Sequence, residues 1–401
     1  MPTLFEPGRI GNLVLRNRLI KSATFEGMGD ADGTPQPALG RFHRRIAQGG
    51  VGMNIVAFAS VHPTGRSYAN QCLIDRDELV PAWKDVADAV HQAGGLAALQ
   101  LVHCGRTANP QVTGSEALAP SPVRDRYSLS VPREIDEGEI AEMIEAFGQA
   151  AGRAKAAGFD AVQIHAAHGY LISQFLSPFT NRRRDAWGGD PERRRRFLLE
   201  VYRRVRREVG PDYPVLVKLN VQDHVRGGLT PEEALPAARA LAEEGVDLLE
   251  LSAGFSDSVF HITRGDIPTD ALVEGFSLVQ RIAIKAFLSL MRDQVRLERE
   301  AYNLPDALPI RQALPQVPMS LVGGMRSRAV MEEVLAQGFD FVSLGRPLIR
   351  QPNLPRLLEQ GQVDAASCIS CNRCLLAMVQ QTGVRCRQIA PEGDEDAARS
   401  P

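Results

Sequence analysis

The chain has 401 residues, 44% of them hydrophobic, and sets 46 Lys and Arg against 48 Asp and Glu for a net charge of −2. This is enough apolar material for a full core, and the charge balance excludes the global basic field that recruits nucleic acid or an acidic membrane. No charged start precedes an apolar block and no run approaches the ~20 apolar residues that span a bilayer, so a cytoplasmic protein is expected.

In chain order, the first strand pattern is 18–22 (RLIKS). Segment 46–57 (IAQGGVGMNIVA) then runs from a helix end through a glycine stop into a second strand. A helical run at 81–93 leads to a third strand, 96–101 (LAALQL). After a helical run at 140–157, segment 154–165 (AKAAGFDAVQIH) repeats the helix end, Gly, apolar residue, Asp and strand. A helical run at 191–209 carries the arginines of 193–196 as a solvated face, and 215–220 (VLVKLN) is the fifth strand. The helical run 231–244 overlaps segment 241–252 (LAEEGVDLLELS), and segment 335–345 (LAQGFDFVSLG) follows strand 319–322 (MSLV). Copies of this grammar recur roughly ninety to a hundred and ten residues apart, leaving room for one strand and helix in each interval. Eight βα units predict an α/β protein of the (β/α)8 TIM-barrel class, and no G-x-G-x-x-G follows the first strand to support a dinucleotide-binding open sheet.

Residues 254–318 separate the sixth and seventh strands by more than one helix. They are read as a long β6-α6 insertion with a helix at 277–296, serving as a lid, a substrate element or an oligomer interface. The division expected is a barrel over 1–360 and a cysteine-containing extension with an acidic tail over 361–401.

The carboxyl ends of the barrel strands must converge on one mouth. They bring Ser22, Ala23 and Thr24, Ala57 and Phe58, Gln100 with His103, and then His165, His168 and Tyr170 from the run H-A-A-H-G-Y. Lys218, Ser252 to Gly254, Gly323, Gly324, Gly345 and Arg346 complete the set. The glycines and arginine of the last two units suit a phosphate cradle of backbone N–H groups. Lys218, costly to bury unpaired, should face an anionic ligand, because its apolar neighbours in the strand offer no carboxylate. The alternative is a lysine that pairs with a neighbouring carboxylate.

Four segments, N-R-L-I-K-S-A-T (17–24), Q-L-V-H-C-G-R (100–106), I-H-A-A-H-G-Y-L-I-S-Q-F-L-S-P-F-T-N-R-R-R-D-A-W-G-G (164–189) and V-S-L-G-R-P (342–347), resemble the Old Yellow Enzyme family of FMN-dependent oxidoreductases. The resemblance implies that Gln100 binds the flavin pyrimidine edge, that Lys218 lies beside N1 and the C2 oxygen, and that Gly324, Gly345 and Arg346 hold the phosphate with Gly323 adjoining. Ser22, Ala23, Thr24 and Phe58 would cradle the ring. His165 and His168 would hold a substrate oxygen, and Tyr170 would donate a proton. NADH or NADPH would reduce FMN, and the activity implied is ene-reduction of an α,β-unsaturated carbonyl compound. One departure is Phe25, which stands where the family commonly places Thr or Cys, with Thr24 one position earlier.

Cys368-x2-Cys371-x2-Cys374-x11-Cys386 suits an iron-sulfur cluster or an all-thiolate zinc site. The segment also resembles the cluster region of 2,4-dienoyl-CoA reductase and trimethylamine dehydrogenase. In those relatives a [4Fe-4S] cluster connects FMN to a further nucleotide-binding domain, which this chain is not expected to contain; the cluster would need an electron-transfer partner. Two other readings therefore stand beside the first: oxidative demethylation of a methylated amine with electrons leaving through the cluster, and a non-catalytic electron-transfer subunit. Cys72 and Cys104 are read as buried apolar residues. Homo-oligomerisation is compatible with the insertion.

Overall fold

The computed structural model describes residues 3–126, 130–273, 277–376, 380 and 382–389. Eight strands close a barrel in sequence order: β1 (Leu19–Lys21), β2 (Met53–Ser60), β3 (Ala97–Val102), β4 (Ala161–Ala166), β5 (Val215–Asn220), β6 (Leu248–Ser252), β7 (Met319–Val322) and β8 (Phe341–Leu344). Every neighbouring pair is parallel, and β8 returns to β1 with Val342 opposite Leu19. The outer ring is α1 (Pro37–Gln48), α2 (Val80–His91), α3 (Glu137–Ala156), α4 (Pro191–Val209), α5 (Pro231–Glu243), α6 (Leu304–Ala313), α7 (Arg328–Ala336) and α8 (Arg346–Arg350). The (β/α)8 class expected from the strand grammar is the fold observed.

Helix starts follow local chemistry. Asp136 and Glu139 form a reciprocal capping box on α3, and Asp190 accepts from the Arg193 N–H at the start of α4. Gly158 and Gly338 end their helices at φ +87° and +95°, which an L side chain resists. The aspartate that follows each stop has a function that periodicity does not reveal. Asp160 Oδ2 accepts from the Ala97 N–H at 2.7 Å, Asp247 Oδ2 from Val215 N–H at 2.8 Å and Asp340 Oδ2 from Met319 N–H at 2.9 Å. Each carboxylate thus satisfies the first donor of the preceding barrel strand, which would otherwise be left open at the barrel floor.

Below the strands an antiparallel ribbon, Gly8–Ile10 with Leu13–Leu15, plugs the barrel floor. Ile10 and Leu15 pack there with Ile20, Met53, Leu216 and Phe341. Between β6 and α6 the insertion carries short helices at Val259–Ile262 and Thr269–Leu272 and a longer one at Leu278–Val295, capped by Ser277 and Gln280. The segment beyond β6 is less foreign than its length implied, because its last part, α6, belongs to the barrel. Pro309 interrupts the helical pattern that would have revealed that helix, while Pro305 sits in its first turn.

The extension folds back on the barrel. Arg328 N–H donates to Asp364 O, Ala366 N–H to Arg326 O and Val384 N–H to Glu26 O. Most of the acidic tail lies outside the described residues. No helix among the described residues is long and apolar enough to cross a membrane.

Candidate active site

At the end of β4, His165 is sealed among neighbours, while His168 and Tyr170 reach half-buried positions in the following turn. The ring centroids of His165 lie 5.1 Å from those of His168 and 4.8 Å from those of Tyr170. Phe58, from β2, closes the group at 5.4 Å from Tyr170 and 6.1 Å from His165. His168 occupies φ +63°, which swings its ring toward β6, where Nε2 meets Ser252 Oγ at 2.7 Å. On His165, Nδ1 accepts from the Ala167 N–H at 3.3 Å, so the proton sits on Nε2.

The turn is held by the long motif that follows it. Asn181 Nδ2 donates to the carbonyls of Phe175 and Trp187, and Arg183 donates to Ile135 O and to Asp185. Gln174 ties the helix Leu171–Leu176 to Gly169 O and Cys104 O. These bonds fix the backbone that carries His168 and Tyr170.

Burial keeps both imidazoles well below the usual histidine range, with the Lys218 charge acting in the same direction, so both are neutral at physiological pH. Burial likewise raises the Tyr170 phenol well above its ordinary value. The mouth therefore holds two neutral imidazoles and a phenol that retains its proton.

Beneath them runs a buried polar belt. Gln100 Nε2 donates to Gln163 Oε1 at 2.6 Å, and Gln163 Nε2 donates to Glu250 Oε2 at 2.8 Å. Lys218 Nζ stands 3.4 Å from the same Oε2 and donates to Ser22 Oγ at 3.1 Å. The expectation that Lys218 lacks a partner carboxylate is thereby corrected. Its partner comes from β6, where Glu250 is paired in register with Lys218, a relation that residues within one strand cannot show.

Two more charged residues escaped the sequence reading although the rule applied to Lys218 would have flagged them: Glu250 in LLELS and Lys21 in RLIKS. Lys21 Nζ donates to Ser22 O at 2.7 Å and Thr24 Oγ1 at 3.0 Å, and burial lowers its pKa. Thr24 is thus engaged with Lys21 and with Glu26, while Phe25 packs on Phe58 and Tyr68 at 5.4 and 4.8 Å. His103 stands apart from the mouth group, accepting from the Gly105 N–H and meeting Thr64 Oγ1. Ala23 contributes to the apolar wall with Phe58 and Tyr170.

On the β7 and β8 side, Gly324 has φ +72°, and a Cβ there would lie 2.7 Å from the Tyr302 ring. Gly323 accepts the Tyr302 N–H, and a Cβ on Gly345 would lie 3.3 Å from Thr24. Two guanidinium groups converge here. Burial raises the Tyr302 phenol, the Arg346 and Arg264 charges oppose that rise, and Arg264 of the insertion lies 5.2 Å from its ring. Arg264 had no sequence signal, since it sits in a segment without a motif.

This donor set fits a flavin nucleotide. An ammonium, an amide and a hydroxyl converge on the strand ends, and glycines with an arginine stand on the β7 and β8 side where a phosphate group needs close backbone approach.

The four extension cysteines line one cavity of about 140 Å³ with Arg346, Arg350 and Arg387. Among the described residues no three His, Cys, Asp or Glu side chains are gathered so as to hold a metal ion. Cys72 and Cys104 are buried, and burial raises both thiols.

The sequence model of the NADH:flavin oxidoreductase / NADH oxidase family matches residues 3–264. NADH oxidase of Thermoanaerobacter brockii is 37% identical over 375 residues, covering 92% of this chain and 53% of the relative. The 4,4'-dithiodibutanoate disulfide reductase of Rhodococcus erythropolis is 34% identical over 387 residues, covering 96% of this chain and 94% of the relative. A 2-naphthoyl-CoA reductase solved with 2-naphthoyl-CoA superposes with a TM-score of 0.83 at 27% identity, covering 96% of this chain and 56% of that one. The chain thus spans about half the length of the first and third, and nearly all of the second. The description of the matched family carries a flavin and NADH. With its closed parallel barrel and its converging histidines, tyrosine and lysine, the chain belongs to the NADH:flavin oxidoreductase / NADH oxidase family, the family of Old Yellow Enzyme.

Proposed function

We propose that the chain is an FMN-dependent ene-reductase that uses NADH or NADPH to reduce the C=C bond of an α,β-unsaturated carbonyl compound. The carrying observation is the convergence of the His165, His168 and Tyr170 rings, with centroids 5.1 and 4.8 Å from His165, at a buried strand end that favours the neutral imidazoles and the protonated phenol. Gln100, Lys218 and Ser22 hold the flavin ring edge, with Ala23, Thr24 and Phe58 along its faces. Gly323, Gly324, Gly345 and Arg346 hold its phosphate. FMN, when bound, supplies hydride transfer, chemistry that protein side chains lack.

The side chains do the rest. His165 offers Nε2–H, and His168, with Ser252 Oγ donating to its Nε2, offers Nδ1–H. Two neutral donors aimed at one carbonyl oxygen stabilise the negative charge that develops there. Tyr170 delivers a proton to the α-carbon, and its raised pKa keeps that proton in place across the working range. Phe58 and Phe25 exclude water from this side of the mouth. The naphthoyl-CoA ligand of the solved relative supports a conjugated acyl substrate.

The four-thiol cavity supports a [4Fe-4S] cluster in preference to zinc. The support is the lining, four thiols with three arginines whose charges would offset the negative charge of an iron-sulfur cluster. Its adjacency to Arg346 supports a second reading, oxidation of a methylated amine with electrons passing through the cluster to an acceptor protein. Stopped-flow mixing separates the two. Rapid bleaching of bound flavin by NAD(P)H, followed by reoxidation with an enone that Tyr170→Phe slows, is the expected result. Bleaching by an amine alone excludes the first reading.

A further inference from the structure

Arg346 stands between two sites. On one side is the glycine face of β7 and β8, where Tyr302 crowds Gly324 and Arg346 follows directly on Gly345 as the first residue of α8. On the other, Arg346 Nη1 donates to the side-chain oxygen of Asn372, inside the run Cys371-Asn372-Arg373-Cys374. Asn372 is 6% exposed, and its Nδ2 donates to Thr263 O of the insertion at 2.9 Å. Both of its polar atoms are therefore spent, one on the insertion and one on the arginine.

The backbone here is strained for that purpose. Ser370 and Asn372 adopt φ +55° and +56°, a region that side chains other than glycine rarely enter. Ser370 O accepts from the Asp266 N–H at 3.0 Å, and Gly265 passes so close to Ser370 that no side chain fits. Contacts with residues 263–266 thus over-determine the cysteine segment, which presents Asn372 to Arg346.

We propose that Asn372 is a positioning residue that fixes Arg346 toward the phosphate of the flavin nucleotide, coupling the fold of the four-cysteine segment to phosphate affinity. The inference rests on the assignment of that phosphate to Arg346 made above. A guanidinium has five donors in a planar fork, so one spent on Asn372 leaves the others for an anion. The rotamer freedom that a long side chain would lose on binding is already lost in the free protein. Disordering of the cysteine segment, by oxidation or by loss of what its thiols hold, releases Arg346 and weakens FMN binding.

The test uses the full chain, stripped of flavin and titrated with FMN and with riboflavin, which lacks the phosphate, by flavin fluorescence. Wild type is expected to prefer FMN. Asn372→Gly removes the side chain and relieves the left-handed backbone. It is expected to weaken FMN up to about tenfold, the cost of immobilising one long side chain on binding, and to leave riboflavin within about twofold. Unchanged FMN affinity, or equal weakening of both ligands, overturns the role of Asn372. A wild type that binds both ligands equally overturns the assignment of the phosphate to Arg346, and this inference with it. If the glycine variant does not fold, Asn372→Ser, too short to reach Arg346, serves in the same comparison. Alkylation of the wild-type thiols with iodoacetamide, after any bound metal has been stripped by oxidation and chelation, is expected to reproduce the FMN-specific loss and to add nothing in the glycine variant; an unchanged FMN affinity or additive losses overturn the coupling.

Discussion

Lys218 and Glu250 face each other in register across β5 and β6, with Nζ and Oε2 3.4 Å apart and both side chains sealed from solvent. The carboxylate takes up part of the charge that the lysine would otherwise lend to a reduced, anionic flavin. Glu250→Gln keeps a polar group beside Gln163 and removes the negative charge. It should raise the midpoint potential of bound flavin by about 30 mV or more, which for a two-electron couple is ~1.4 kcal/mol. Lys218→Met should move it down. Spectroelectrochemical titration measures both, and a potential indifferent to either change would separate this pair from the flavin.

Ser252 touches His168 and, in this scheme, sets which of its nitrogens carries the proton. Ser252→Ala frees the ring to turn and leaves Nε2 without that partner. Loss of such an orienting contact typically costs about tenfold or more, and the loss should fall on kcat/KM for an enone, with little change in Tm. Unaltered kinetics would show that the His168 ring is held by its packing alone.

Four strands were legible as apolar runs after a glycine stop, a signal carried within ten residues, and the other four as apolar runs in the intervals between those copies. The mouth residues followed from the strand ends, since a parallel barrel sends them to one place. Contacts that depend on register did not follow. Glu250 meets Lys218, and Asp160 meets Ala97, only after strands far apart in sequence are aligned. The helix α6 was hidden by Pro309 in its interior, and Arg264 reaches Tyr302 from a segment with no repeating pattern. Short-range periodicity thus encodes the elements, whereas the electrostatics of the site are set by pairing between them.

Buried histidines should make stability fall as pH drops. His43 and His103 are each held down to about 3 by burial, and His165 and His168 are well below their usual value. Below about 6.5 the unfolded chain binds protons at these sites that the folded chain refuses, so each contributes a loss of up to ~1.4 kcal/mol per pH unit. Asp223 acts in the opposite sense. Burial raises it to about 6, so between about 6 and 3.8 the folded chain holds a proton that the unfolded chain releases. One histidine is offset and the net slope keeps its sign. Thermal melts from pH 7.5 to 5 should show a falling Tm, with a shallower slope in His103→Asn even if that variant is less stable throughout. A Tm that is level over this range would mean that water reaches these rings.

The extension makes a compositional prediction that is independent of turnover. Four thiols around one cavity with three arginines should bind about four iron and four sulfide per chain after anaerobic purification. Cys374→Ser removes one ligand from that cavity while leaving the β1 to β5 strand ends untouched. Iron should fall in this variant while flavin remains bound, more weakly than in wild type because Asn372 and Arg346 adjoin the same segment. Elemental analysis with the visible spectrum reads both quantities from one sample. A flavin-stripped protein that is colourless and contains zinc would replace the cluster with a single ion, and electrons could then not leave by this route.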